Sequence, residues 1–66
     1  MRVMLNGEPS EIKDSSTVAD LLDSLAIGRE RVAVEVNLDI VPKAMYDTHL
    51  LSDGDKIEVV HFVGGG

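Results

Sequence analysis

Ile57-Glu58-Val59-Val60-His61-Phe62-Val63 runs directly into Gly64-Gly65-Gly66. The β-branched and aromatic residues of this stretch make Lys56 to Val63 the last and longest strand of the chain, entered through the turn Asp53-Gly54-Asp55. With Ile57 and Val59 in the inward register, Glu58, Val60 and Phe62 point the other way. At an average glycine usage of about 7%, three glycines in three terminal places arise by chance in roughly one chain in a few thousand. Terminal glycines are ordinarily a frayed or engineered end. Here the strand before them would hold the root of the tail while its tip stays free. Residues 1–63 are therefore expected to form one domain and residues 64–66 a flexible C-terminal glycine tail.

Working outward, Arg2 to Asn6 reads as a strand, and Asn6-Gly7 suits the positive φ angles of a tight hairpin. A second strand is expected at about Ser10 to Lys13. Thr17 can cap a helix and Asp20 favours its positive end, while Val18, Leu21, Leu22 and Leu25 fall at i, i+3, i+4 and i+7 to form one apolar stripe. Gly28 is the expected stop of this helix. Val32 to Asn37 returns to strand character, with three valines on one face. The pattern weakens from Leu38 to Ser52, where Pro42 can open a turn of helix through Lys43, Ala44 and Met45.

The order strand, strand, helix, strand, strand implies a two-layer α+β domain: a mixed sheet of four or five strands with one main helix across one face. The expected core is Val3, Leu5, Ile12, Val18, Leu21, Leu22, Leu25, Val34, Val36, Ile57 and Val59. If the first and last strands are parallel neighbours, the helix supplies the long connection such a pair needs. A central last strand would then anchor the tail in the best-held part of the sheet.

Sixty-six residues allow one core and leave no room for a deep cleft beside it, which argues against a self-sufficient enzyme. With no cysteine, a disulfide framework, a thiolate zinc site and a sulfur carried on a side chain are all excluded. Twelve acidic against six basic residues, a net charge of −6, weigh against nucleic acid or an anionic membrane and favour a partner with a basic docking face. Met1 to Gly7 lacks the character of a signal peptide and no segment is long and apolar enough to span a membrane, so a soluble, cytoplasmic protein is expected.

Conventional catalytic groups are sparse. His49 and His61 are the two imidazoles and read as surface or satisfied histidines; Asp47, Asp53 and Asp55 lie in or near turns without the ligand series of a calcium loop. No metal site is expected. Gly7, Gly28 and Gly54 are isolated, so no phosphate loop is present and the chain is expected to bind no cofactor itself. The terminal carboxylate of Gly66, ionised at neutral pH with a reference pKa of about 3.5, could instead attack the α-phosphorus of ATP held by a partner enzyme. Glycine places no Cβ beside the reacting carbon, and three extended residues reach roughly 10 Å into a channel. Met4, Val60 and Phe62, outward on the first and last strands, are the expected apolar docking patch.

The ending Val63 to Gly66, the Asp53-Gly54-Asp55 turn with Ile57 behind it, the Val36-Asn37 strand end, Ile40-Val41-Pro42-Lys43 and the helix start Thr17 to Leu22 together resemble the ThiS family of thiamine-biosynthesis sulfur carriers. The resemblance covers the whole chain and implies a ubiquitin-like β-grasp fold. It implies further that a ThiF-like adenylating enzyme uses ATP to activate Gly66. Sulfur from a donor such as a cysteine desulfurase system then replaces the adenylate to leave a thiocarboxylate, and thiazole synthase receives that sulfur. Gly64 and Gly65 would thread the enzyme channels. The chain would thus be a protein cosubstrate and no enzyme. The alternatives are a ubiquitin-like modifier joined to other proteins through Gly66 and a sulfur carrier for molybdopterin or another cofactor.

Overall fold

Asn6 and Gly7 adopt φ of 49° and 82°, positive at both central positions as a type I′ turn requires. They fold strand β1 (Arg2–Leu5) back on β2 (Glu8–Glu11), with Leu5 opposite Glu8. The two-residue turn lets pairing begin at Glu8, so β2 lies two residues earlier than the expected Ser10 to Lys13. Pro9 is tolerated because β2 is an edge strand, where a missing ladder donor costs nothing. This computed structural model describes residues 1–61; Phe62, Val63 and the Gly64 to Gly66 tail lie outside the described residues.

Helix α1 (Val18–Ser24) begins at Thr17 in a full capping box: Thr17 Oγ1 accepts from the Asp20 amide at 3.1 Å and the Asp20 carboxylate accepts from the Thr17 amide at 2.9 Å. The two remaining free amides of the first turn find carbonyls in the later chain. Val18 donates to the His49 carbonyl at 3.1 Å and Ala19 to the Tyr46 carbonyl at 2.8 Å. The 46–51 segment is thereby tied across the helix start, and Leu51 donates back to the Ser16 carbonyl at 2.8 Å.

The helix stops before the expected Gly28. Leu25 is its C-terminal cap, Ala26 takes the left-handed position at φ 56°, and the Ala26 and Ile27 amides donate to the Asp23 and Leu22 carbonyls, both at 3.0 Å. This is a Schellman ending with alanine where glycine is usual. Its two hydrogen bonds and the packing of Ile27 against the core offset the strain of Ala26, about 1–2 kcal/mol. Leu25, pushed past the last helical turn, is 39% exposed and leaves the expected core. Gly28 instead precedes a 3-10 turn at Arg29–Arg31.

Strand β3 (Val32–Val36) turns through Asn37 and Leu38, at φ 52° and 74°, into β4 (Asp39–Val41). Pro42 then opens the anticipated helical turn, which is 3-10, at Lys43–Met45, and the Asp53-Gly54-Asp55 turn, with Gly54 at φ 86°, leads to β5 (Lys56–His61). The five strands stand in the order β2-β1-β5-β3-β4. β5 is central, parallel to β1 and antiparallel to β3. The expected continuation of β5 through Phe62 and Val63 lies outside the described residues.

The core between sheet and helix contains Val3, Val18, Ala19, Leu21, Leu22, Val32, Val34, Val36, Val41, Tyr46, Leu51 and Ile57. Leu5, Ile12 and Val59 pack against it half-buried. Tyr46, Val41 and Leu51 come from the stretch whose sequence pattern is weakest, and Val32 completes the valine face of β3. Among the described residues no helix is long and apolar enough to cross a membrane.

Candidate functional site

Two asparagines clamp β5, one from each neighbouring strand. Asn37 donates its amide to the Lys56 carbonyl at 2.7 Å, accepts the Lys56 amide on Oδ1 at 3.0 Å and donates Nδ2 to Asp55 Oδ1 at 2.9 Å. On the other side, the Asn6 side chain takes over where β1 ends. Its Oδ1 accepts from the Val59 amide at 2.8 Å and its Nδ2 donates to the Val59 carbonyl at 3.3 Å. Asparagine suits both places because it tolerates the positive φ of the turn and carries a donor and an acceptor on one short side chain. The strand that leads to the tail is therefore held on both sides up to its last two described residues.

Replacing Asn6 with alanine is expected to speed hydrogen exchange at the Val59 amide and lower stability by about 1–3 kcal/mol, since both bonds are lost and alanine is strained at φ 49°. Equal exchange in both proteins would show that the clamp does not hold β5.

The outward candidates separate along the sheet. Met4 is half-buried and pairs with Lys56, lining a cleft of about 220 Å³ with Gly7, Ile57 and Glu58. Val60 is 53% exposed and pairs with Ala33 of β3, four residues further along β5. At about 3.3 Å per residue that is roughly 13 Å, so Met4 and Val60 share a face without touching. Phe62, Gly64, Gly65 and Gly66 are outside the described residues. Sequence reasoning missed Ile40, 73% exposed and opposite Glu35, whose signal is its alternation with the buried Val41.

Beside the end of β5 lies an open cleft of about 420 Å³ lined by Gly28, Arg29, Glu30, Arg31 and His61. Arg29 is committed to Asp47 through bonds of 2.7 and 3.1 Å. That hydrogen bonding holds the Asp47 carboxyl below, and the Arg29 guanidinium above, their ordinary ranges. At the opposite end of the sheet the Met1 ammonium donates to Asp14 at 3.0 Å, and this bond raises its pKa. A further cleft of about 500 Å³ is lined between Glu11 and Ser24 by acids, serines, Lys13 and two aliphatic side chains, with no imidazole to serve as a base. Among the described residues no three His, Asp or Glu side chains are grouped to hold a metal ion.

The ThiS family model matches residues 3–66. The chain belongs to the ThiS family. It is 45% identical to the sulfur carrier protein ThiS of Bacillus subtilis over 65 residues, covering 97% of this chain and 98% of that protein. The crystal structure of the thiamine biosynthesis protein ThiS from Geobacter metallireducens superposes with a TM-score of 0.85 at 35% identity, each chain fully covered. This likeness establishes the ubiquitin-like β-grasp fold expected from the sequence. The chain is also 47% identical over its full length to part of a thiazole synthase of Paramagnetospirillum magneticum, of which it spans only 20%. The same holds for the thiazole synthase of Magnetococcus marinus, at 44% identity and again 20% of that protein.

Proposed function

We propose that this chain is a sulfur carrier of thiamine biosynthesis, acting in the cytoplasm as a protein cosubstrate without catalysis of its own. The observation that carries the reading is the match to ThiS over residues 3–66, which includes the glycine ending. The Gly66 carboxylate attacks the α-phosphorus of ATP on a ThiF-like adenylating enzyme, pyrophosphate leaves, and an acyl adenylate results. A persulfide from a cysteine desulfurase system displaces AMP to give an acyl disulfide, a thiol then cleaves its S–S bond, and the thiocarboxylate so released delivers sulfur to thiazole synthase. ATP is bound by the partner. Gly64 and Gly65 pass through the partner's channel because they add no side chain. Val60 and Phe62 near the tail, and Met4 further along the same sheet face, supply docking contacts.

Intact-mass measurement after incubation with the adenylating enzyme, ATP and the sulfur donor tests the reading. Exchange of one oxygen for sulfur, localised to the C-terminal peptide, is the expected result. A mass that stays unchanged while the enzyme consumes ATP with another carrier overturns it.

A further inference from the structure

The outer face of the sheet holds a charge arrangement that folding alone does not favour. Glu35 of β3 and Glu58 of β5 stand directly opposite one another. They lie on the side away from the helix, because Val34, Val36 and Ile57 take the inward positions. Like charges so placed repel across the ladder. Among the described residues neither carboxylate has a cation within ion-pair distance, the pairs formed being Met1 with Asp14, Arg2 with Glu11 and Arg29 with Asp47. Lys56 lies on the same face of β5, two residues before Glu58, and reaches neither. Ile40, opposite Glu35 and 73% exposed, and Val60, 53% exposed, flank the pair with aliphatic surface.

A cation with an apolar stem complements such a face. Arginine fits better than lysine, because a planar guanidinium can bridge two carboxylates while its stem lies on aliphatic neighbours. We propose that this face binds an arginine of thiazole synthase, the guanidinium spanning Glu35 and Glu58 and the stem resting against Ile40 and Val60. The assignment rests on the sulfur-carrier reading. Its support for this partner is that in two relatives named thiazole synthase a segment matching this entire chain belongs to the synthase polypeptide. Where carrier and synthase share one chain, the domain needs a face to lay against the enzyme body. The unsatisfied carboxylate pair marks which face that is.

The test is the affinity of the full chain for thiazole synthase of the same organism, measured by calorimetry from about 50 to 300 mM salt. The double variant E35Q/E58Q should bind roughly tenfold more weakly at the lowest salt, with a shallower salt dependence. Its melting temperature should match or exceed the parent's, since a repulsion has been removed. E8Q/D23N removes two exposed charges from the edge strand and the helix, and should bind as the parent does. Equal losses in the two variants, no loss in either, or a loss seen only with the adenylating enzyme overturns the proposal. Sulfur loading of the parent chain is measured in parallel. A parent that loads sulfur but does not bind thiazole synthase defeats this proposal alone, whereas a parent that never loads defeats the carrier reading beneath it.

Discussion

A chain shortened by Gly65 and Gly66 is expected to accept no sulfur while melting at the same temperature as the parent. Two extended residues span about 7 Å. On the proposed mechanism the carboxylate of the shortened chain, now on Gly64, would stop that far short of the α-phosphorus. Displacements of about 1 Å can already cost a hundredfold in rate, so a 7 Å deficit removes the reaction rather than slowing it. A single residue added after Gly66 should be equally inactive for a different reason: the reacting carboxylate becomes a peptide carbonyl with no nucleophilic oxygen to offer. Neither change touches the buried core, whose members run from Val3 to Ile57. Thiocarboxylate formation is read by intact mass and folding by thermal melting. Sulfur uptake by the shortened chain would show that the reactive group lies elsewhere, and a lowered melting temperature would show that the tail also stabilises the domain.

Much of the frame was legible because it is set by local chemistry. Asn6-Gly7 and Asp53-Gly54 declare turns through the positive φ they tolerate, and Thr17 with Asp20 declares a helix start through reciprocal caps. The sequence left the parallel pairing of β5 with β1 as a condition, and the structure meets it with β5 in the centre of the sheet.

What escaped notice depends on partners distant in sequence. Asn37-Leu38 turns the chain with both residues at positive φ, although leucine is among the residues least suited to the left-handed region and Leu38 is 88% exposed. No local rule announces that turn, so β4 was merged with the irregular stretch behind it. The helix end was misplaced for the same reason. Ala26 does what Gly28 was expected to do, because Ile27 can reach the core only if the chain reverses two residues earlier. The register between β1 and β5 is likewise tertiary information, and it places Met4 beside Lys56 instead of beside Val60.

The clamps on β5 connect this frame to the tail. Under the sulfur-carrier proposal a fixed strand ahead of the Gly64 to Gly66 ending would help, since every residue of freedom removed before docking lowers the entropy lost on docking. Asn6 holds β5 at Val59, toward that ending, and Asn37 holds it at Lys56, where the strand begins, each just past the end of its neighbour's ladder.

Tyr46→Ala is the substitution expected to do most damage to the fold. Tyr46 is the largest of the fully buried side chains, at 1% exposure, and it comes from a segment with no regular structure of its own beyond the short turn at Lys43–Met45. Its side chain is buried in the same core as Val18, Ala19, Leu21 and Leu22 of the helix, and its carbonyl accepts the Ala19 amide at 2.8 Å. Removing the ring leaves a cavity under the helix start and frees the 46–51 segment whose carbonyls satisfy the first helical turn. Truncating a buried aromatic residue costs about 3–5 kcal/mol. At roughly 0.05–0.15 kcal/mol per residue a domain of this size has only about 3–10 kcal/mol in total, so the variant should be largely or wholly unfolded at 37 °C. Tyr46→Phe keeps the ring and should stay within about 1.5 kcal/mol of the parent. Chemical denaturation of the three proteins checks the contrast. An alanine variant that loses less than about 1 kcal/mol would mean that the neighbouring side chains collapse into the space and that the ring is not what pins the segment to the helix.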